Sequence, residues 1–305
     1  MEKFVTVLLN GGLGNQLYQY SFGRSLSIKH NCRLNLDLSI FDTFHNTWKN
    51  TYRLDNFKID SDTVISKNFS SFQLLNLKLI TKFFRKNVIN FYFSDFILNK
   101  KFNKIFFDWD FKKQRTDILK ISQINSIYFG YWQDIKYFDH IRPLLNNELS
   151  LKEKLINPIE ELSKNFIKPN SVAVHIRGGD MEYDNNYTYV DNDYYVKSLS
   201  FFKKKFGKIS LNIMTDDIKL AKKQLSRIIK DTNQEINFFY DLNLNDLEEF
   251  YLFKQHKNFI SSRSTFSWWS SYLCNNEDKV ITLPSEWFIG EETLKSRIAK
   301  NMLVI

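Results

Sequence analysis

Three side chains set close together carry most of the chemical content of this chain. His175, Arg177 and Asp180 fall in the run SVAVHIRGGDM, Ser171 to Met181. An arginine offers a planar fork of donors that matches a phosphate, and a nearby carboxylate is a candidate proton acceptor. A second group lies in SSRSTFSWWSSY, where Ser264, Thr265, Phe266 and Ser267 open a helical pattern. Hydroxyls together with the unpaired amides of a helix N-terminus form a ready anion site. A third is the loop GGLGNQ, in which Gly12 and Gly14 permit close backbone approach and Asn15 and Gln16 set amide groups at a helix start. A fourth is Asp216, at the end of an apolar run and followed by Asp217, which reads as a helix cap. Taken singly, each has a plainer structural reading: an exposed Arg–Asp pair, serine N-caps, a tight turn.

The elements that must position these residues follow from periodicity. Val172, Val174 and Ile176 alternate with Ala173, His175 and Arg177, which predicts a strand ended by Gly178 and Gly179. His175 and Arg177 then sit at a strand's carboxyl end, where open α/β sheets bind ligands. After Pro169–Asn170 the alternation is regular. Strands are expected at 172–177, 210–214, 236–240, 258–260 and 279–283. Helices are expected near 193–205, 217–229, 245–257 and 265–274, with a terminal helix from Glu291. The N-terminal part opens with a strand at Phe4–Leu9, a helix from about Asn15 to Lys29 and a strand at Arg33–Leu38, the start of a βαβ unit. A further strand is expected at Ser126–Phe129, and a helix at 149–166 that breaks or kinks at Pro158. The stretch 63–120 reads as mostly helical. The pattern predicts an α/β protein with two Rossmann-type domains facing each other across a cleft: 1–150, 151–290, and a terminal helix over 291–305.

Composition narrows the class. Hydrophobic residues make up 43% and charged residues 25% of the chain, the balance of a globular protein. Cys32 and Cys274 are far apart and form no metal-ligand spacing, which suits reduced thiols in the cytoplasm. No apolar run is long enough to span a membrane. The net charge of +9 is concentrated: residues 67–120 hold twelve Lys/Arg against four Asp and no Glu, interleaved with Phe and Trp. Such a segment suits an anionic membrane surface better than nucleic acid, because no nucleic-acid motif accompanies it. The triplets Asp60/Asp62, Asp108/Asp110 and Asp191/Asp193 are weak metal candidates in a chain rich in acids, and no metal is expected.

Several runs in fixed order resemble the glycosyltransferase family 11 fucosyltransferases, over nearly the whole chain. They are GGLGNQLYQYSFGRSLS (11–27), Tyr52–Phe57, Gly130-Tyr131-Trp132-Gln133, HIRGGD (175–180), STFSWW (264–269), and Pro284 with Trp287-Phe288. Gly178 stands where the family's H-x-R-R-x-D motif has a second arginine, and Arg263 where an asparagine is usual, so only Arg177 carries over as the phosphate arginine. The resemblance implies a GT-B fold, with GDP held by the C-terminal half and the acceptor bound mainly by the N-terminal half. It also implies inverting, metal-independent transfer of L-fucose from GDP-β-L-fucose to a galactose hydroxyl, in α-1,2 linkage, for surface-glycan synthesis. His175 would orient the nucleotide-sugar. Asp180, Asp37 and Asp216 are candidate general bases. No cofactor is implied. The expected partners are GDP-fucose and an oligosaccharide or lipid-linked acceptor. The expected place is the cytoplasm, with peripheral docking on the inner membrane face through residues 67–120.

Two other classes fit parts of the pattern. A dinucleotide-dependent oxidoreductase would use the Gly11–Gly14 loop with Asp37 as ribose acid. The third glycine of its fingerprint falls on Leu17, however, and the His175/Arg177 and Ser264–Ser267 groups would go unused. A non-catalytic nucleic-acid-binding protein would rest on the basic 67–120 segment alone.

Overall fold

The computed structural model describes residues 2–43, 51–84, 104–108, 117–178, 190, 192–228, 235–288, 291–292 and 295–305. The chain divides into two units, Met1–Ser150 and Leu151–Ile305.

Unit 1 is built on strand β1 (Phe4–Leu8), helix α1 (Leu13–His30), β2 (Arg33–Asp37), α2 (Ser39–Thr43), β3 (Val64–Ser66) and α3 (Ser71–Phe84). It continues with β4 (Lys104–Asp108), α4 (Ile118–Ile121), β5 (Ser126–Gly130) and α5 (Arg142–Glu148). Its sheet is parallel throughout, in the order β3-β2-β1-β5-β4. The central strand β1 is buried along Val5–Leu8, as expected where a parallel sheet is covered on both faces. Helix α1 is buried around most of its circumference and ends on Asn31 in the left-handed region, φ 46°. Gly23 lets it lie flat on the sheet, because a Cβ there would come within 2.7 Å of both Val7 Cγ2 and Leu34 Cδ1. The first turn of α1 therefore has a fixed place at the carboxyl end of β1.

Unit 2 runs α6 (Glu153–Phe166), β6 (Ser171–Ile176), α7 (Asn192–Phe206), β7 (Ser210–Thr215), α8 (Ile218–Ile228), β8 (Glu235–Phe238) and α9 (Asp246–Lys254). Then come β9 (Asn258–Ile260), α10 (Thr265–Tyr272), β10 (Val280–Leu283), β11 (Glu286–Phe288), β12 (Glu291–Glu292) and β13 (Met302–Val304). Its six-stranded sheet has the order β13-β10-β9-β6-β7-β8, all parallel. That is the doubly wound arrangement in which the first strand, β6, lies between the second and the fourth. The order reverses between β6 and β9, and ligands of such sheets bind outside the carboxyl ends at that reversal. The core packs Val172, Val174 and Ile176 of β6 with Leu211 and Ile213 of β7 and Leu199 and Phe202 of α7.

The two α/β units agree with the sequence expectation, and most elements fall within two residues of their predicted bounds. The structure differs from the expectation at four places. The predicted terminal helix over 291–305 is instead the short β12, a single 3-10 turn at Lys295–Arg297 and β13. Its Met302–Val304 pairs in parallel with Ile281–Leu283, so sheet pairing overrides the helical propensity of the segment. Within 63–120, the strand β4 (KIFFD) replaces helix, because it adds to β5 as the sheet's edge. Helix α6 continues through Pro158 without a break; the proline lies in its second turn, where it removes one i→i−4 hydrogen bond without ending the helix. The segment 142–152, expected to be partly helix 149–166, holds a separate helix, α5.

Candidate functional site

The residues singled out by chemistry gather at defined sheet edges. In unit 2, His175 is the next-to-last residue of β6 and Arg177 directly follows the strand, while Ser261–Ser264 link β9 to α10. Because β6 and β9 are neighbours, both groups reach the same carboxyl edge at the strand-order reversal.

The ring of His175 is 4% exposed, and its Nδ1 lies 2.6 Å from Ser262 Oγ in a shared hydrogen bond. The ring also stacks on Phe266, with centroids 6.0 Å apart, and meets Phe253 edge-on. Burial, reinforced by the Arg177 charge, pushes the imidazole down to about 3, so it is neutral at physiological pH. His175 thus fixes the β9–α10 loop and supplies no charge. Tyr195 of α7 donates to the His175 carbonyl (3.0 Å), and Tyr194 donates to the Ser261 and Thr282 carbonyls (2.6 and 2.8 Å). These two buried tyrosines hold both strand ends, a role that sequence reading did not assign.

Arg177 is about one-third exposed and pairs with Asp216, Nη1 to Oδ2 at 2.7 Å. The other carboxylate oxygen of Asp216 accepts from Gly178 N at 2.8 Å. Asp216 therefore aims Arg177 and pins the turn behind it; both its oxygens are engaged, which leaves it poorly suited to act as a base. Gly178 is closely covered: a Cβ would lie 2.7 Å from Asp217 Cβ and 2.9 Å from Leu220 Cδ2. An arginine does not fit there without moving α8. Arg263 is engaged with Glu286. It is buried, with Nε donating to the Glu286 carbonyl at 2.8 Å and Nη2 3.4 Å from that residue's carboxylate.

Helix α10 starts at Ser264, whose backbone is extended and whose side chain makes no capping bond. Its first-turn amides are thus left without a side-chain cap, the condition under which a helix N-terminus takes up an anion. Ser264 and Thr265 line that mouth. Ser267 turns inward, its Oγ 2.8 Å from Ser261 Oγ, and Phe266 packs between His175 and Phe250. Of the four predicted ligand side chains, two face inward and brace the loop. At the other end of α10, buried Lys279 donates to the Ser271, Tyr272 and Cys274 carbonyls (2.9, 2.6 and 2.8 Å), closing the helix with a cation. Trp268 and Trp269 are fully buried packing residues.

One further carboxyl belongs to this edge and escaped sequence reading. Glu249, in the first turn of α9, is pushed up to about 7 by burial and by the charges of Asp246 and Asp216. Its neighbour Glu248 closes a capping box with Asn245, which left no sequence signal to separate the two glutamates.

In unit 1, Gly12 caps α1 with its backbone alone, and its carbonyl accepts from Asn15 N and Gln16 N. The first-turn amides of Asn15 and Gln16 are consequently spent inside the helix. The Gln16 side chain is fully buried: its Nε2 donates to the Gly11 and Thr51 carbonyls, and its Oε1 accepts from Arg53 N. It clamps the 51–53 turn and is not open to a ligand. Asn15 Oδ1 accepts from Gln133 Nε2 at 3.0 Å, tying the loop to Gly130–Gln133. Gly14 is buried within α1. Asp37 is also fully buried, and it accepts from Ser39 N, Ser66 Oγ and the backbone and side chain of Asn68. That removes it both as a general base and as a ribose acid. Asp180 lies outside the described residues, as do Asp110 and Asp191 of the aspartate triplets.

Among the described residues no group of three or more His, Cys, Asp or Glu is placed to hold a metal ion. Among them also, no helix is long and apolar enough to cross a membrane.

The family model "Glycosyl transferase family 11" matches residues 4–299. The chain is 29% identical over 302 residues to an alpha-1,2-colitosyltransferase of Escherichia coli, covering 95% of this chain and 94% of that one. It is 26% identical over 308 residues to the O-antigen biosynthesis glycosyltransferase WbnK of Escherichia coli, covering 94% and 96%. Among solved structures it is similar to the fucosyltransferase NodZ from Bradyrhizobium, with a TM-score of 0.49 at 13% identity over 89% of this chain and 93% of that one. With a family match running through both α/β units and every motif described above, the chain belongs to glycosyl transferase family 11 and is a glycosyltransferase.

Proposed function

We propose that this protein transfers L-fucose from GDP-β-L-fucose to a galactoside hydroxyl in α-1,2 linkage, with inversion and without a metal, during O-antigen or capsule assembly. The observation that carries the reading is that Arg177, following β6, and the uncapped N-terminus of α10, following the neighbouring β9, both lie at the carboxyl edge of unit 2's sheet where its strand order reverses. The GDP moiety is placed there, and the acceptor on unit 1.

In the reaction the anomeric C–O bond breaks and its electron pair stays on the β-phosphate oxygen. Arg177 and the α10 amides stabilise that growing negative charge, the kind of fixed electrostatic support that accounts for large parts of enzymatic rate. The acceptor hydroxyl attacks from the opposite face of an oxocarbenium-like sugar. A carboxylate takes its proton. With Asp37 buried and Asp216 held by Arg177, Asp180 is assigned that role. Asp216 and His175 act by positioning. The protein works in the cytoplasm, on an oligosaccharide or lipid-linked acceptor.

A second donor deserves the same test, because one relative is named a colitosyltransferase. Colitose is fucose lacking the 3-hydroxyl, so the same diphosphate site suits either sugar. Thermal stabilisation and transfer, measured with GDP-fucose, GDP-colitose, UDP-galactose and a dTDP-sugar, decide the matter. The proposal expects transfer from GDP-fucose; transfer from GDP-colitose alone establishes the second reading. Activity confined to UDP- or dTDP-sugars overturns both.

A further inference from the structure

Gln16, Tyr20 and Arg24, at i, i+4 and i+8 on one face of α1, together hold residues 51–60 of unit 1. Gln16 Nε2 donates to the Thr51 carbonyl and Gln16 Oε1 accepts from Arg53 N, both at 2.9 Å. The Tyr20 hydroxyl accepts from Asp60 N at 3.0 Å, and Arg24 pairs with the Asp60 carboxylate at 3.5 Å. Between these ties the 3-10 turn Leu54–Asn56 is anchored by Leu54 and Phe57, both buried. A surface connection needs no such fixation; a binding position does.

Gln16 Nε2 also donates to the Gly11 carbonyl at 2.9 Å, so residues 51–53 lie against the loop that follows β1. In the order β3-β2-β1-β5-β4 the sheet reverses between β1 and β5, and the carboxyl edge at such a reversal is where open sheets take ligands. Tyr52 stands between the two backbone groups that Gln16 grips. It is half-buried, and among the described residues its ring packs on no other ring and its hydroxyl has no hydrogen-bond partner. The core tyrosines of unit 1 differ: Tyr18 and Tyr137 meet Phe138 and Phe22 edge-on, and Tyr20 donates to Glu148. Burial and the Asp55 charge push the Tyr52 phenol above its ordinary value, so it stays protonated and can donate. A firmly held aromatic ring carrying one donor suits a sugar, whose C–H face packs on the ring while a hydroxyl takes the hydrogen bond.

We propose that Tyr52 is the acceptor platform of unit 1, packing against the apolar face that C3, C4 and C5 of a galactose present. The axial 4-hydroxyl of galactose makes its own face polar and leaves C–H bonds on the other. Docking by that apolar face keeps the 2-hydroxyl at the edge of the sugar, free to react. The inference rests on the galactoside acceptor proposed above and names the residue that selects it.

Saturation-transfer NMR of the full chain with methyl β-galactoside, in the absence of donor, should show the strongest transfer to H3, H4 and H5. Tyr52→Ala should lose most of that signal. In transfer assays the same variant should raise the acceptor KM by about tenfold, with kcat, GDP affinity and melting temperature little changed. Tyr52→Phe keeps the ring and should bring the acceptor KM back to within about threefold of the wild type, which protects the test from a folding defect. No saturation transfer in the wild type, an unchanged acceptor KM in Tyr52→Ala, or no rescue by Tyr52→Phe overturns the proposal. So does a loss of GDP affinity in Tyr52→Ala in place of the acceptor effect, since the donor would then own the ring. A wild type that binds the galactoside through Tyr52 yet transfers nothing from GDP-fucose supports the platform and contradicts the proposed donor.

Discussion

His175 Nδ1 and Ser262 Oγ, 87 positions apart in the chain, lie 2.6 Å from each other and lock the end of β6 to the loop that opens α10. This bond sets the arginine-bearing strand end and the helix N-terminus in one frame. Because the histidine is buried and neutral, the bond works by geometry. Ser262→Ala leaves a buried ring nitrogen unpaired, which costs about 1–3 kcal/mol. Thermal denaturation should show that loss, and steady-state kinetics should show a raised donor KM with kcat less affected. Unchanged stability would mean that the bond is incidental.

Gly178 is required by its neighbours. Gly178→Ala drives a methyl to 2.7 Å from Asp217 Cβ and should cost about 1–3 kcal/mol as α8 shifts. Gly178→Arg, which writes in the arginine usual in the family motif, should be worse in stability and no better in donor affinity. Denaturant titration and GDP calorimetry on the two variants check both halves of the statement.

Glu249 gives the site a pH signature. Its pKa rises from the ordinary glutamate range in the unfolded chain to about 7 in the folded one, so the folded state holds its proton more tightly. Stability is then lost as pH rises through the window from about 4.5 to 7. Glu249→Gln removes the penalty. The variant should match the wild type near the acid end of that window and exceed it above pH 8, by on the order of 1–3 kcal/mol. His175 and His256 act in the opposite sense. Burial depresses them to about 3 and about 4, so their contribution is intact above about 6.5 and fades as the medium becomes acidic. Melting curves across pH separate the two trends.

Transfer should persist in excess EDTA, because Arg177 and helix amides are assigned the charge stabilisation that a cation would otherwise supply. A strict requirement for added Mg²⁺ or Mn²⁺ would return attention to the aspartate triplets.

The sequence was most legible where burial and period agree. SVAVHI, SLNIMT and the helices between them alternate cleanly, so the strand ends carrying His175, Arg177 and Asp216 could be placed from pattern alone. β4 was not legible, because KIFFD lies in a basic, aromatic stretch without strict alternation. The C-terminal strand was misread as helix because EETLKSRIAKN has helical content, and only its pairing with β10 makes the end a strand. The site was half legible. Residue type identified Arg177 and the Ser264 helix start, but not that Gln16, Asp37 and Ser267 spend their polar atoms on backbone groups and on neighbouring side chains. Nor could one sequence show that Glu249, beside the capping Glu248, shares an edge with Asp216. Orientation on a helix of known amphipathic sense is readable; the direction of a polar side chain in a packed turn is set by tertiary contacts.

The central claim is that the diphosphate of the donor binds where β6, β9 and α10 meet. Calorimetric titration of GDP into the wild type and into Arg177→Ala tests it most directly, with circular dichroism confirming that both are folded. The account predicts GDP affinity reduced by about 100-fold in the variant and transfer reduced by about 100- to 1,000-fold. Wild-type GDP affinity in a folded Arg177→Ala protein would contradict it.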